Sequence, residues 1–195
     1  MVTIFWDVDD VLNDLMRAWF TEAWKPARPQ CTLSYSDITE NPPDRVLGVT
    51  RTEYLDSLDA YRASDRIRDL RPNADVLQWL RESGHRYRHA ALTARPLASA
   101  PSAAEWLFRN FGAWLRSFCL VPSRPPDDVP VYDRDKGDFL RWFAKPGVLI
   151  DDTEENTRAA ERLGLHTILY PQPWNHSTLT VQKTLARLSQ IAEAN

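Results

Sequence analysis

Cysteine is scarce in this 195-residue sequence: Cys31 and Cys119 stand far apart and outside any CxxC spacing. That excludes a disulfide framework and a cysteine-ligated zinc site, and it fits a reducing cytoplasm. Long apolar runs are missing too, since no stretch approaches the ~18 apolar residues a bilayer crossing needs. The N-terminus, MVTIFWDVDD, lacks a basic stretch and an acid interrupts its apolar run at position 7, so no signal peptide is expected. Basic runs are absent as well. Lys and Arg total 24 against 27 Asp and Glu, a formal net charge of −3, which gives no electrostatic reason to hold a nucleic-acid polymer. No GxxxxGK[ST], GxGxxG or HExxH occurs, and there is neither an internal repeat nor a low-complexity tract. What remains, at 43% hydrophobic and 26% charged, has the composition and length of one globular domain, or of a domain with a small insert.

Short apolar runs alternate with helical stretches, the pattern of βαβ units and a parallel sheet in an α/β protein. Strands are expected at Val2 to Trp6, Tyr87 to Leu92, Ser117 to Val121, Gly147 to Ile150 and His166 to Tyr170. Between them, apolar spacing and start and stop residues predict helices at Pro72 to Glu82, Ser102 to Phe111, Asp138 to Ala144 (closed by Pro146-Gly147), Thr153 to Leu163 and Ser177 to Ala194. The stretch between the first strand and Pro72 is far longer than a crossover requires. It carries helical patterns at Asn13 to Lys25 and Thr52 to Ala63 and reads as an inserted helical unit over 15–69, with 1–14 and 70–195 forming the α/β core.

Polar residues fall where such a sheet binds ligands, beyond the carboxyl ends of its strands. Asp7, Asp9 and Asp10 follow the first strand, Thr93 the second, and Asp151 and Asp152 the fourth. If these strands neighbour each other, up to five carboxylates share one crevice. Two carboxylates ~4 Å apart repel by about 4 kcal/mol at an effective dielectric of 20. A hard divalent cation with oxygen ligands resolves that repulsion, and Mg²⁺ takes one or two carboxylates plus waters and a substrate phosphate. Taken singly, Asp9 and Asp10 read as turn residues and Asp152 as a helix cap; acids at two strand ends together shift the reading toward a site.

These residues resemble a known family. IFWDVDDVL is similar to the first motif of the haloacid dehalogenase (HAD) superfamily, a hydrophobic strand followed by DxD. ALTAR resembles its second motif, Lys136 fits the third, and VLIDDTEEN fits the fourth, in order along the chain outside the insert. The resemblance implies a HAD-like Rossmannoid parallel sheet flanked by helices, with a small α-helical cap inserted after the first strand. It also implies Mg²⁺-dependent hydrolysis of a phosphomonoester through an aspartyl-phosphate. In that scheme Asp7 is the nucleophile and Asp9 the acid and base, with its backbone carbonyl on the metal. Thr93, backbone N–H groups around Ala94 and Arg95, and Lys136 hold the phosphoryl oxygens. Asp152 is the inner-sphere metal ligand beside Asp7, and Asp151 acts through water. The second acid disfavours the metal-free dehalogenases that named the superfamily. Asp10 departs from the pattern, standing where the family often has Gly.

The insert resembles a C1-type cap, and its surroundings, with LTARP and YPQPWN, are similar to the 5'(3')-deoxyribonucleotidase branch. A nucleoside monophosphate or deoxynucleotide is therefore the leading substrate expectation. Among the insert's aromatics, Trp19 and Phe20 are placed nearest the site, where a base would stack, although a small cap also needs aromatics for its own core. Arg17 or Arg95 is a candidate contact for a second anionic group. His85 and His89 flank the second strand, and none of the four histidines is assigned a role. A sugar phosphate or a phosphorylated biosynthetic intermediate is the alternative substrate. A HAD-fold protein that binds a phospho-ligand without turnover is the alternative outside enzymes.

Overall fold

The computed structural model describes residues 1–143 and 147–194. Ala144 and Pro146, which the sequence places at the end of the helix expected from Asp138 and at its stop, lie outside the described residues. Five strands form one parallel sheet: β1 (Thr3–Trp6), β2 (Arg88–Arg95), β3 (Leu115–Pro122), β4 (Gly147–Asp151) and β5 (His166–Leu169), in the order β3-β2-β1-β4-β5. The helices are α1 (Leu15–Trp19), α2 (Asp44–Leu47), α3 (Arg51–Ala63), α4 (Ala74–Ser83), α5 (Ala100–Phe111), α6 (Lys136–Trp142), α7 (Glu154–Arg162) and α8 (Val181–Glu193). This is the five-stranded parallel α/β sheet expected from the sequence. None of the described helices is long and apolar enough to cross a membrane.

Helices cover both faces, so β1 and β4 are buried along their whole length, as parallel strands require. Side chains alternate across the sheet. Ile4 and Trp6 join Val148 and Ile150 in a core with Leu80 of α4, Leu107 of α5 and Leu188 of α8. Phe5 and Leu149 point the other way, onto Phe139 and Leu140 of α6 and Ala160 of α7. Trp6 pairs with Ala91 on one side and Ile150 on the other. One step further, Asp7 stands level with Asp151.

The insert has its own apolar cluster, running from Leu15 to Ile67 and including Trp19, Phe20, Trp24, Tyr54, Leu58 and Tyr61. On α3 the buried Tyr54, Leu58 and Tyr61 recur at helical spacing. The single helix expected over Asn13 to Lys25 is broken. A wide turn spans Val8 to Leu12, Asn13 is extended, and α1 then widens into a π-helical turn over Phe20–Trp24. The physical reason is Asn13, whose side-chain oxygen accepts from the backbone N–H groups of Asp10 (3.2 Å) and Leu15 (3.0 Å) and so competes with the helical ladder.

Candidate functional site

The turn after β1 carries three acids to one end of the sheet. Asp7 donates its backbone N–H to the Ile150 carbonyl at 2.9 Å, which fixes it against the end of β4. One of its carboxylate oxygens accepts from the Val8 N–H at 2.6 Å, and the other faces Lys136 Nζ at 2.8 Å. Lys136 opens α6, is buried, and lies 2.6 Å from Asp151 Oδ2. The second Asp151 oxygen accepts from Thr153 N (2.9 Å) and Asn156 Nδ2 (3.0 Å). Asp152 accepts from the Trp174 indole at 2.8 Å, while its backbone carbonyl accepts from the Asn175 side chain at 2.7 Å.

Carboxylate oxygens of Asp7, Asp151 and Asp152 lie within 4.8 Å of one another, and all three residues are buried. Burial pushes the Asp7 carboxyl well above the usual range, with Lys136 opposing and Asp151 and Asp152 reinforcing the rise. Asp152 is pushed up to about 8 by burial, then by Asp151 and Asp10. Lys136 works against burial, yet Asp151 and Asp7 hold it above the ordinary lysine range. One ammonium thus faces three crowded carboxylates, a donor set of hard oxygens that suits a small divalent cation.

Asp9 stands outside that cluster, and its carboxylate is claimed by arginines. Arg95, at the end of β2 and buried, places Nη2 2.6 and 2.7 Å from the two Asp9 oxygens. Arg62 of α3 adds a contact at 3.1 Å. Burial alone would raise the Asp9 carboxyl; Arg95 and then Arg62 overcome it and bring it down to about 2. The side chain of Asp9 is therefore not available to the metal cluster, which leaves only its backbone carbonyl for that part. Asp10 adopts φ 62°, ψ 11°, the left-handed region that glycine occupies at no steric cost. Its carboxylate accepts from the Met16 N–H at 2.8 Å, and Gln172 Nε2 donates to its carbonyl at 2.6 Å.

Between sheet and insert lies a crevice of about 190 Å³, lined from the core by Asp7, Asp9, Thr93, Ala94, Lys136 and Asp152 and from the insert by Met16, Tyr54 and Arg62. The Thr93 hydroxyl is buried and has no hydrogen-bond partner among the described residues. Buried polar groups are almost always paired, so this one marks the place of an absent acceptor or donor. A roomier cavity of about 540 Å³ opens at the other ends of the strands, around Thr3, Arg88 and Trp114. No acid lines it among the described residues, and sheets of this kind bind ligands at their carboxyl ends, so the smaller crevice is the candidate site.

The sequence-predicted core residues Asp7, Asp9, Thr93, Ala94, Lys136 and Asp152 converge on the crevice, with Asp151 behind Lys136. Three expectations need correction. Trp19 and Phe20 are 0% and 1% exposed in the insert's own cluster and turn no face to the crevice; a small helical unit must bury its aromatics to exist. Tyr54, packed edge-on against Trp19 with centroids 5.4 Å apart, reaches the crevice instead. Arg95 is not free to meet a substrate anion because Asp9 occupies it, and Arg17 lies over the Tyr35 ring at 4.2 Å. His89 sits inside β2 rather than flanking it, and it is buried. Nothing in the sequence singles out Arg62: it is one of twenty arginines, and Asp9, its partner at the site, lies 53 residues away.

No protein-family model and no curated protein matches the sequence. Solved structures do. A candidate β-phosphoglucomutase from Thermotoga maritima superposes with a TM-score of 0.61 at 20% identity, over 98% of this chain and 100% of that one. A haloacid dehalogenase-like family hydrolase from Streptococcus pneumoniae gives 0.61 at 14%, over 100% and 99%. The candidate HAD-hydrolase YfnB from Bacillus subtilis, solved bound to magnesium, gives 0.55 at 14%, over 97% of each chain. The chain therefore has the fold of HAD-superfamily hydrolases; at these identities the likeness is one of fold.

Proposed function

We propose that this protein is a HAD-type phosphatase that hydrolyses a small phosphomonoester with Mg²⁺, through an aspartyl-phosphate on Asp7. The observation that carries this reading is the convergence of Asp7, Lys136, Asp152 and the unpartnered Thr93 hydroxyl on one crevice. Asp7, Asp152 and the Asp9 backbone carbonyl would hold the cation, with Asp151, whose oxygens already accept from Lys136, Thr153 and Asn156, acting through water. Bound Mg²⁺ supplies charge neutralisation for the phosphoryl oxygens and keeps the carboxylates ionised.

In the first step an Asp7 oxygen bonds to phosphorus as the bond to the leaving oxygen breaks. Thr93 donates to a phosphoryl oxygen, and Lys136 balances the charge that Asp7 no longer carries. In the second step water attacks phosphorus, Asp7 departs as a carboxylate, and Asp9 takes the water's proton. The paired arginines keep Asp9 ionised but weaken it as a base, so it takes the water's proton only once at least one guanidinium has withdrawn. In the first step the leaving oxygen takes its proton from Asp9, which carries one only after at least one guanidinium has withdrawn.

The helical insert over 15–69 acts as a C1-type cap in this reading, closing the crevice and excluding water. At ~30 Å³ per water, a cavity of about 190 Å³ takes a phosphoryl group and a short chain. That favours a short-chain or sugar phosphate. A nucleoside monophosphate becomes the second reading, because Trp19 and Phe20 offer no stacking face.

Phosphate release across a panel of phosphomonoesters, with Mg²⁺ and with EDTA, tests the proposal. Metal-dependent release is expected, and Asp7→Asn should lower it by ~10⁴-fold or more while leaving the circular dichroism spectrum intact. Retained turnover in that variant would sink the aspartyl-phosphate. No release from any ester, with thermal stabilisation by inorganic phosphate, would favour the phospho-ligand binder instead.

A further inference from the structure

A line of ion pairs crosses the seam between insert and core. Arg124, in the loop after β3, meets one oxygen of Asp59 on α3. The other Asp59 oxygen lies 3.2 Å from Arg62 Nη1, and Arg62 Nη2 lies 3.1 Å from Asp9, which Arg95 grips from the core side. Arg62 therefore ties the third helix down at two points, one along its own helix and one across to the turn after β1. Its Nε is nevertheless buried without a partner among the described residues. A guanidinium has five donors in a fixed fork, so this one is held in place but not fully satisfied.

Arg62 is also common to the walls of two cavities. One is the inner crevice of about 190 Å³ that contains Asp7 and Thr93. The other, about 410 Å³, lies between α3 and the segment after β2, with Arg68, Pro96, Ser99 and Ser102 on its walls. The inner crevice is below the ~300 Å³ at which pockets for sizeable ligands begin, and the outer one is within that range. We infer that Arg62 is a specificity-determining gate: paired to Asp9 and Asp59 it confines the leaving group to the inner crevice, and released from Asp9 it joins the outer cavity to the site, admitting larger phosphomonoesters.

This inference rests on the phosphatase reading and deepens it, because it names the residue that sets the size of the leaving group. The test compares kcat/KM for glycerol 3-phosphate, a short-chain ester on the scale of the inner crevice, with that for thymidine 5'-monophosphate, a much larger one. Arg62→Ala should raise the ratio of large to small ester by about tenfold, the scale on which pocket shape discriminates. Arg124→Ala, which leaves Asp59 to Arg62 alone and touches no reacting group, should tighten the closed pairing and lower the ratio by roughly threefold with kcat for glycerol 3-phosphate unchanged. Should Arg62→Ala not fold, Arg62→Lys joins Arg124→Ala in carrying the test. An unchanged ratio, or an equal loss on both esters, overturns the gate while the wild-type rates keep the phosphatase reading standing. If the wild type releases phosphate from neither ester nor from the wider panel, the reading fails and the gate falls with it.

Discussion

Asp10 occupies a backbone position that geometry reserves for glycine, and its side chain accounts for its presence there. A left-handed conformation costs a typical L-residue ~1–2 kcal/mol, less for Asp and Asn. At φ 62° Asp10 accepts that cost, and its carboxylate satisfies the Met16 N–H at the start of α1. A second cost is electrostatic: burial, then Asp9, hold its carboxyl well above the usual range. These contributions separate by substitution. Asp10→Asn keeps the acceptor and removes the charge, so it should be more stable than the wild type at pH 7 in cation-free buffer. Asp10→Gly relieves the backbone but orphans the Met16 N–H, and should fall within about 1 kcal/mol of the wild type. Asp10→Ala keeps the strain and loses the bond, and should be destabilised by about 2–3 kcal/mol. Urea unfolding of the three variants reads the order directly; Ala equal to Gly would remove backbone strain from the account. The sequence flags Asp10 as a departure from a glycine pattern, but the compensating bond to Met16 depends on where α1 begins, which Asn13 decides.

At the scale of elements, the strands are legible because a sheet covered on both faces needs uninterrupted apolar runs, and TIFW and GVLI supply them. The end of β2 is less legible. Thr93, Ala94 and Arg95 read as a loop by polarity, yet they pair with Leu120, Val121 and Pro122 of β3, and only that pairing carries Arg95 to Asp9. Periodicity finds α3, and helical spacing pairs Asp59 with Arg62, but their partners beyond the helix, Arg124 and Asp9, lie in distant loops and no spacing predicts them. The YPQPWN segment shows a similar division. It is visible as a motif, whereas its work lies in the structure: Gln172 holds the Asp10 carbonyl, and Trp174 and Asn175 hold Asp152. His89 joins three elements. Its Nδ1 accepts from the Trp6 indole of β1 at 3.0 Å, so its Nε2 carries the proton donated at 2.8 Å to the Gly84 carbonyl beyond α4. A second proton would sit where the indole N–H already points, and burial lowers the His89 pKa below 6.5. A histidine depressed in the folded state contributes stability above its unfolded pKa and loses it as pH falls through that value toward the folded one. Unfolding free energy should therefore drop from pH 7 to pH 5 by up to ~1.4 kcal/mol per pH unit from this residue. His89→Gln should flatten that limb, and a wild-type slope that persists in the variant would refute the assignment.

Across the whole molecule, the fold brings five acids to the carboxyl ends of two adjacent strands and gives them three cations, Lys136, Arg95 and Arg62. The arginines are spent on Asp9, so among the described residues the cluster of Asp7, Asp151 and Asp152 has Lys136 as its one paired cation. The rest of the chain tolerates this because the apolar layers on both faces hold the strands in register whatever the state of the cluster. The consequence is a pH dependence opposite in sign to that of His89. Asp152, ordinarily near 3.8 and pushed up to about 8 in the folded protein, binds a proton in the native state that the unfolded chain has released. Its contribution to stability is complete below about 4 and disappears as pH rises through about 8. A divalent cation reverses the balance by favouring the ionised carboxylates, but at low pH it must first displace that proton. Mg²⁺ should accordingly raise Tm more at pH 8 than at pH 5, with a gain of ~2.7 kcal/mol when its concentration is 100 times Kd. Asp152→Asn should abolish the gain and flatten the cation-free decline toward pH 8, whereas Asp10→Asn should leave most of the gain in place. A Mg²⁺ shift of equal size at both pH values, or one that survives Asp152→Asn, would place the cation somewhere other than the Asp7–Asp152 cluster.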